Sequence, residues 1–189
     1  MFKQVSALAA SLIVSVAAWA APTVEMQTTM GRIVIELDQE KAPVTVKNFL
    51  TYVKDKHYDN TVFHRVMPGF MIQGGGYTAS MEEKKTNSQI VNESKNGLKN
   101  LRGTIAMARR AEPHSATAQF FINHKDNAPL DAADGAGPNS YGYAVFGKVT
   151  EGMDVVDKIA QVKTGDRAFH QNVPLEPVLI QSVKVISGK

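Results

Sequence analysis

Residues 63 to 75 read FHRVMPGFMIQGG and set His64, Arg65 and Gln73 inside an otherwise apolar, strand-like run around a Pro68-Gly69 turn. A strand built only for a core has no use for these groups. They are either the solvated face of a hairpin or a working surface. Period two sends Met71 and Gln73 to one face and Ile72 to the other, and a tight turn at Pro68-Gly69 can fold Arg65 back onto the face of Gln73. Strict alternation points Phe70 away from Met71, so only its place at the turn's edge lets it join them. Arg65 carries the chemical interest, because a guanidinium keeps its charge and offers several donors in one fixed plane.

Other chemistries lack their residues. His57, His64, His114, His124 and His170 fall at neither H-x-x-x-H nor H-E-x-x-H spacing, so no metal is expected. Cysteine is absent, which removes disulfides, thiolate nucleophiles and Cys-ligated metals together. Gly74-Gly75-Gly76 leads into a polar stretch without a Lys-Ser/Thr ending, and reads as a strand end or bulge rather than a phosphate loop. No serine sits in a G-x-S-x-G elbow. Lys84-Lys85 and Arg109-Arg110 have no interleaved aromatics, and the net charge of +3 is scattered, so nucleic acid is not an expected partner.

The elements that must position these residues are short. TVEMQTTMGRIVIELD alternates apolar and polar residues on both sides of a Met30-Gly31 turn and predicts an opening hairpin. KAPVTVKNFLTYVKDK starts a helix at Pro43 and stacks Val46, Phe49, Leu50 and Val53 on one face. Residues 77 to 102 are polar and read as a long surface excursion. RGTIAMAR at 102–109, AQFFINH at 118–124 and YGYAVFGKV at 141–149 read as strands, MDVVDKIAQV as a second helix, and PVLIQSVKVIS as a closing strand. Seven or eight short strands with two helices, and no βαβ alternation, point to an antiparallel sheet closed into a barrel.

At 189 residues, 43% hydrophobic and 21% charged, the chain fits one globular domain. Its first twenty residues combine Lys3, an apolar run from about Ala7 to Ala18, and small residues at Ala18 and Ala20, the pattern of a cleaved secretory leader. The expected organisation is a leader over 1–20 and one domain over 21–189, exported to a bacterial periplasm and free of the membrane once cleaved.

The blocks FHRVMPGFMIQGG, GTIAMAR, AQFFIN and YAVFGKV, in this order and spacing, resemble the cyclophilin-type peptidyl-prolyl isomerases over nearly all of residues 21–189. The resemblance implies a mainly β fold, an eight-stranded antiparallel barrel capped by two α-helices. It implies rotation of X–Pro bonds in exported or unfolded polypeptides, no cofactor, proline-containing chains as partners, and a monomer. It places the catalytic arginine at Arg65 and the proline pocket at Phe70, Met71, Gln73, Phe121 and Leu130. Gln119 and Ala108 line the groove, with His64 beside it. Three positions depart from the best-known pattern: Pro129 stands where many eukaryotic members have Trp, Tyr143 where they have His, and Arg109 where Asn commonly contacts substrate backbone. A non-catalytic holdase or proline-peptide binder on the same barrel is the alternative.

That reaction suits the residues present. An X–Pro amide resists rotation because resonance stiffens its C–N bond, and unaided isomerisation takes tens to hundreds of seconds. No bond breaks and no proton must leave, so a catalyst needs neither nucleophile nor base. It needs a dry cup for the pyrrolidine ring and a donor that favours the twisted amide.

Overall fold

The computed structural model describes residues 21–135 and 137–188; the leader reading of residues 1–20 lies outside them. β1 (Thr23–Thr28) and β2 (Gly31–Leu37) form the expected hairpin, but the loop is Thr29-Met30 and Gly31 already opens the second strand. Gly31 has φ +136°, and a Cβ there would stand 2.7 Å from Val155. Its glycine answers a close approach rather than the turn itself.

Helix α1 (Pro43–Lys54) begins at Pro43 and buries Thr45, Val46, Phe49, Tyr52 and Val53. Leu50, expected on that stripe, is only half-buried, and Tyr52 takes the inward place instead. Phe49 enters the barrel core, where its ring lies 5.0 Å from Tyr58, 5.8 Å from Phe120 and 5.2 Å from Phe146. Ala42 precedes the helix and has no side-chain acceptor for its free N–H groups. Glu93 supplies one from the polar excursion: its carboxylate accepts from the Val44 N–H at 3.1 Å, the Thr45 N–H at 2.8 Å and the Thr45 hydroxyl at 2.7 Å. A negative group at a helix N-terminus also opposes the helix dipole favourably. Residues 77 to 102 are therefore tied to the fold at Glu93.

β3 (Thr61–Met67) and β4 (Met71–Thr78) are joined by the Pro68-Gly69 turn, with Gly69 at φ +68° and the Phe70 N–H bonded to the Met67 carbonyl at 3.1 Å. β5 (Thr104–Met107), β6 (Phe120–Asn123) and β7 (Val145–Glu151) follow. Each is shorter than, or shifted from, the apolar run that announced it. In the third, Tyr141–Ala144 stay outside the strand: the Tyr143 N–H bonds the Leu130 carbonyl at 2.9 Å, and the Ala144 carbonyl accepts from Met107. Helix α2 (Met153–Ala160) buries Val155, Val156, Ile159 and Ala160.

Eight strands close the barrel in the order β1-β10-β3-β4-β6-β5-β7-β2, β10 being Leu179–Ser187. All pairings are antiparallel, as expected. The remaining two strands, β8 (Thr164–Arg167) and β9 (His170–Pro174), form a separate hairpin against β3. The sequence reading has no counterpart for it, because TGDRAFHQNVP shows no apolar alternation.

Apolar side chains divide into two groups. The larger fills the barrel and includes Phe49, Tyr58, Phe63, Ile72, Phe120 and Phe146. A smaller cluster, Met71, Ala106, Phe121 and Val145, sits apart from it, with Met67, Phe70, Leu98, Ala108, Leu130 and Tyr143 packed against it. Alternation along β4 and β6 sends Ile72 and Ile122 to the first group and Met71 and Phe121 to the second.

The Glu93 cap gives a test of how the excursion is held. Glu93→Ala should lower stability by about 1–2 kcal/mol, a fall in Tm of roughly 2–8 °C in thermal unfolding, with Glu93→Gln intermediate because it keeps one acceptor.

Candidate active site

A register irregularity in β3 decides where the polar residues of this segment point. Phe63 pairs with Gly74 and Arg65 with Gln73, so His64 is an extra residue in β3 with no partner on β4. Such a bulge breaks strict alternation. Phe63 and Val66 point into the barrel core, while the two residues between them, His64 and Arg65, both line one outer cleft. A second irregularity adjoins it, where Gly75, Gly76 and Tyr77 of β4 stand against Val62 alone. A Cβ on Gly74 would lie 3.0 Å from the Val62 carbonyl, and one on Gly75, at φ +85°, would lie 2.8 Å from Phe120 and 2.9 Å from Tyr58. Of the two readings of Gly74-Gly75-Gly76, the bulge is the one seen.

The cleft has a volume of about 490 Å³. All eleven residues singled out from the sequence, His64, Arg65, Phe70, Met71, Gln73, Ala108, Arg109, Gln119, Phe121, Leu130 and Tyr143, line it. Its floor is the outer apolar cluster: Met71 and Phe121 are buried, Phe70 and Leu130 are half-buried, and the Tyr143 ring meets Phe121 edge-on at 5.5 Å. Arg65 is directly opposite Gln73 across the ladder, and the Gln73 amide donates to the Gln119 side-chain oxygen at 3.0 Å. Pro129 is exposed and stands outside the lining.

The two arginines of the cleft differ in what they do. Arg109 spends its guanidinium on the protein, donating to the carbonyls of Gly142 at 3.2 Å, Tyr141 at 2.8 Å, Arg110 at 2.9 Å and Ala111 at 3.1 Å. Its plane also lies 4.9 Å from the Tyr143 ring centre. Arg109 thus fixes the segment that carries Tyr143. Among the described residues, no carboxylate or carbonyl engages Arg65, so its charge and donors face the cleft.

A buried amide chain holds the floor from beneath. The Asn127 amide donates to the Phe70 carbonyl at 2.9 Å and to the Asn123 oxygen at 2.7 Å. Asn123 donates to Asn100 at 3.2 Å, and Asn100 donates to the Leu130 carbonyl at 3.1 Å. The His124 N–H reaches the same Phe70 carbonyl at 2.9 Å, and its ring accepts from the Gly69 N–H at 2.9 Å. Three buried asparagines and one histidine therefore tie the turn that bears Phe70 to the segment that bears Leu130. This is the physical answer to how Phe70 joins the pocket against strict alternation.

Comparison with known proteins decides the family. The family model described as cyclophilin type peptidyl-prolyl cis-trans isomerase/CLD matches residues 23–185. The chain belongs to the cyclophilin-type peptidyl-prolyl cis-trans isomerases. It is 54% identical to a peptidyl-prolyl cis-trans isomerase of Acinetobacter baylyi, over 99% of this chain and 97% of that one. It is 56% identical to peptidyl-prolyl cis-trans isomerase B of Escherichia coli, over 86% and 98%. Among solved structures, a Cryptosporidium parvum cyclophilin-type isomerase, crystallised in the presence of the dipeptide Ala-Pro, matches with a TM-score of 0.71 and 25% identity over 88% of this chain and 99% of that one. Peptidyl-prolyl isomerisation is thus the activity of this cyclophilin fold.

Four further residues line the cleft without having been singled out: Tyr77, Phe169, His170 and Gln171. Tyr77 sits between His64 at 4.7 Å and His170 at 4.9 Å, meeting each ring edge-on. Period two from Gln73 through the glycine run would have been the only signal for Tyr77. The other three come from the β8–β9 hairpin, which has no periodic signal.

His64 titrates far from its ordinary range. Burial, then the nearby positive potential of His170 and Arg65, push its pKa from 6.5 down to about 4. The unfolded chain therefore takes up this proton first as pH falls. Stability contributed by neutral His64 is complete above about pH 6.5 and is lost as pH falls toward 4. At about 1.4 kcal/mol per unit, the full loss is on the order of 3 kcal/mol. His57, lowered by its own burial and then by Lys84, acts in the same direction. Urea unfolding of wild type should show stability declining between pH 6.5 and 4.5, and His64→Phe should flatten part of that slope.

Proposed function

We propose that Arg65 accelerates X–Pro rotation by donating to the prolyl nitrogen of the twisted amide, with the proline ring seated on Phe70, Met71, Phe121 and Leu130. Twisting removes the nitrogen lone pair from resonance and makes it a better acceptor. A charged donor aimed there gains strength only as the transition state forms, which is differential binding. The carrying observation is the contrast within one cleft: Arg109 is committed to four carbonyls, while Arg65 faces the cleft beside a buried apolar floor.

The supporting parts fit this role. Gln73 and Gln119, bonded to each other opposite Arg65, can orient its plane or meet the substrate backbone. A dry floor keeps water from competing for the donor and strengthens the charge–nitrogen contact. The Ala-Pro dipeptide that accompanies the similar Cryptosporidium protein supports a proline-sized occupant for the same cleft. The clients we infer are unfolded, exported polypeptides, on the strength of the leader pattern over residues 1–20.

An isomerase assay on a short X–Pro peptide tests this. Arg65→Ala should lower kcat/KM by roughly 10²–10³-fold, about 2.7–4 kcal/mol, the loss seen when one transition-state donor is removed. Arg65→Lys keeps the charge but loses the planar fork and should recover only part of it. Full activity in a folded Arg65→Ala protein would sink the mechanism while leaving the family's activity intact.

A further inference from the structure

The β8–β9 hairpin ends in an aromatic side chain with no packing partner. Phe169 is 101% exposed, the most exposed large apolar residue among the described residues, and yet it lines the rim of the same cleft as Arg65. Its neighbour Ala168 holds φ +53°, a left-handed conformation that a residue with a Cβ rarely adopts. Backbone of this kind persists only where the surroundings enforce it. Here the enforcement is visible on both sides: His170 packs on Tyr77 at 4.9 Å, and Arg167 donates to the Ala79 carbonyl at 3.1 Å. The hairpin is thus anchored at its base and presents a bare phenyl ring at its tip.

We propose that Phe169 is a second contact point for the polypeptide substrate, holding an apolar side chain that flanks the proline. This rests on the reading that the proline itself sits beside Arg65. The His170 ring lies 6.5 Å from the His64 ring, and Phe169 is one residue beyond. Phe169 and Arg65 line the same cleft, so an unfolded chain crossing it from the proline site brings a flanking side chain over the phenyl face. Only the apolar ones gain by leaving water, so the hairpin tip selects proline sites in hydrophobic sequence, the sites that unfolded chains expose.

The experiment compares peptides that carry either Leu or Ser at two, three or four residues before the proline, or at the same distances after it. For wild type, kcat/KM should favour Leu over Ser by about fivefold in one of the two series. In Phe169→Ser that ratio should fall to about one, and in Phe169→Leu it should be largely retained. Thermal unfolding of each variant confirms the fold, which an unpacked side chain does not support. In a chain with Trp19→Phe, Phe169→Trp leaves a single tryptophan at the tip, whose emission should shift to the blue with the favoured Leu peptide and not with its Ser counterpart. An unchanged Leu-to-Ser ratio in folded Phe169→Ser overturns the proposal. Failure of wild type to act on any of these peptides would instead overturn the reading of the cleft.

Discussion

One local mismatch organises the outer face of this barrel: between the Phe63–Gly74 and Arg65–Gln73 pairs, β3 carries one residue that β4 leaves without a partner. His64 is that residue, and because of it two consecutive side chains leave the core side of the strand together. A regular strand delivers every second residue to a face, so it can offer Arg65 or His64 to a cleft but not both. The next step along the ladder has the opposite excess, Gly75, Gly76 and Tyr77 of β4 against Val62 alone, and its glycines have no Cβ to strike Phe120, Tyr58 or Gln119. The first mismatch explains why His64 is buried with an unpartnered Nδ1 at the cleft wall, and so why it stays neutral near physiological pH.

A closed barrel has its interior filled by its own core, so a binding site must be built elsewhere. Here it is built on the outer surface of β4, β5 and β6, where Met71, Ala106 and Phe121 form a second apolar layer. Such a layer would be a loose patch if loops did not wall it. The walls are fixed by polar groups whose hydrogen bonds are satisfied within the protein: Asn100, Asn123 and Asn127 beneath Phe70 and Leu130, and Arg109 behind Tyr143. Buried amides cost free energy unless paired, and when paired they hold their partners in one geometry. The pocket is therefore stiff on three sides.

Much of this was legible in the sequence. The barrel, both helices, and the shared face of Met71, Gln73 and Arg65 follow from periodicity and turn chemistry, and the pocket residues follow from four blocks of resemblance. What periodicity could not give was the bulge, because an extra residue is a property of the pairing and not of either strand. It also overran the ends of β5 and β6 and opened β7 too early, since Ala108 and Tyr143 are apolar enough to read as strand but bond the Gln119 and Leu130 carbonyls, which lie outside any strand. The β8–β9 hairpin was invisible for a different reason: it packs few apolar side chains, and is held by backbone pairing and by the contacts of His170 and Arg167. Glu93 was equally hidden, as a cap supplied from far along the chain leaves no local signature.

The two cleft arginines show why residue type alone does not assign a role. Both line the same cleft, and both offer the same planar set of donors. Arg109 has bought rigidity for its neighbours by giving its donors to carbonyls whose acceptor strength never changes during a reaction. A donor so committed cannot follow a nitrogen whose basicity rises only on twisting. Arg65 has no such engagement among the described residues, and the bulge sets it at the edge of an apolar floor, where a hydrogen bond to a changing acceptor is worth most. The catalysis we propose asks for a donor that is held in place by its backbone and left free at its tip. Arg65 beside the bulge fits that condition, and Arg109, with more contacts, does not.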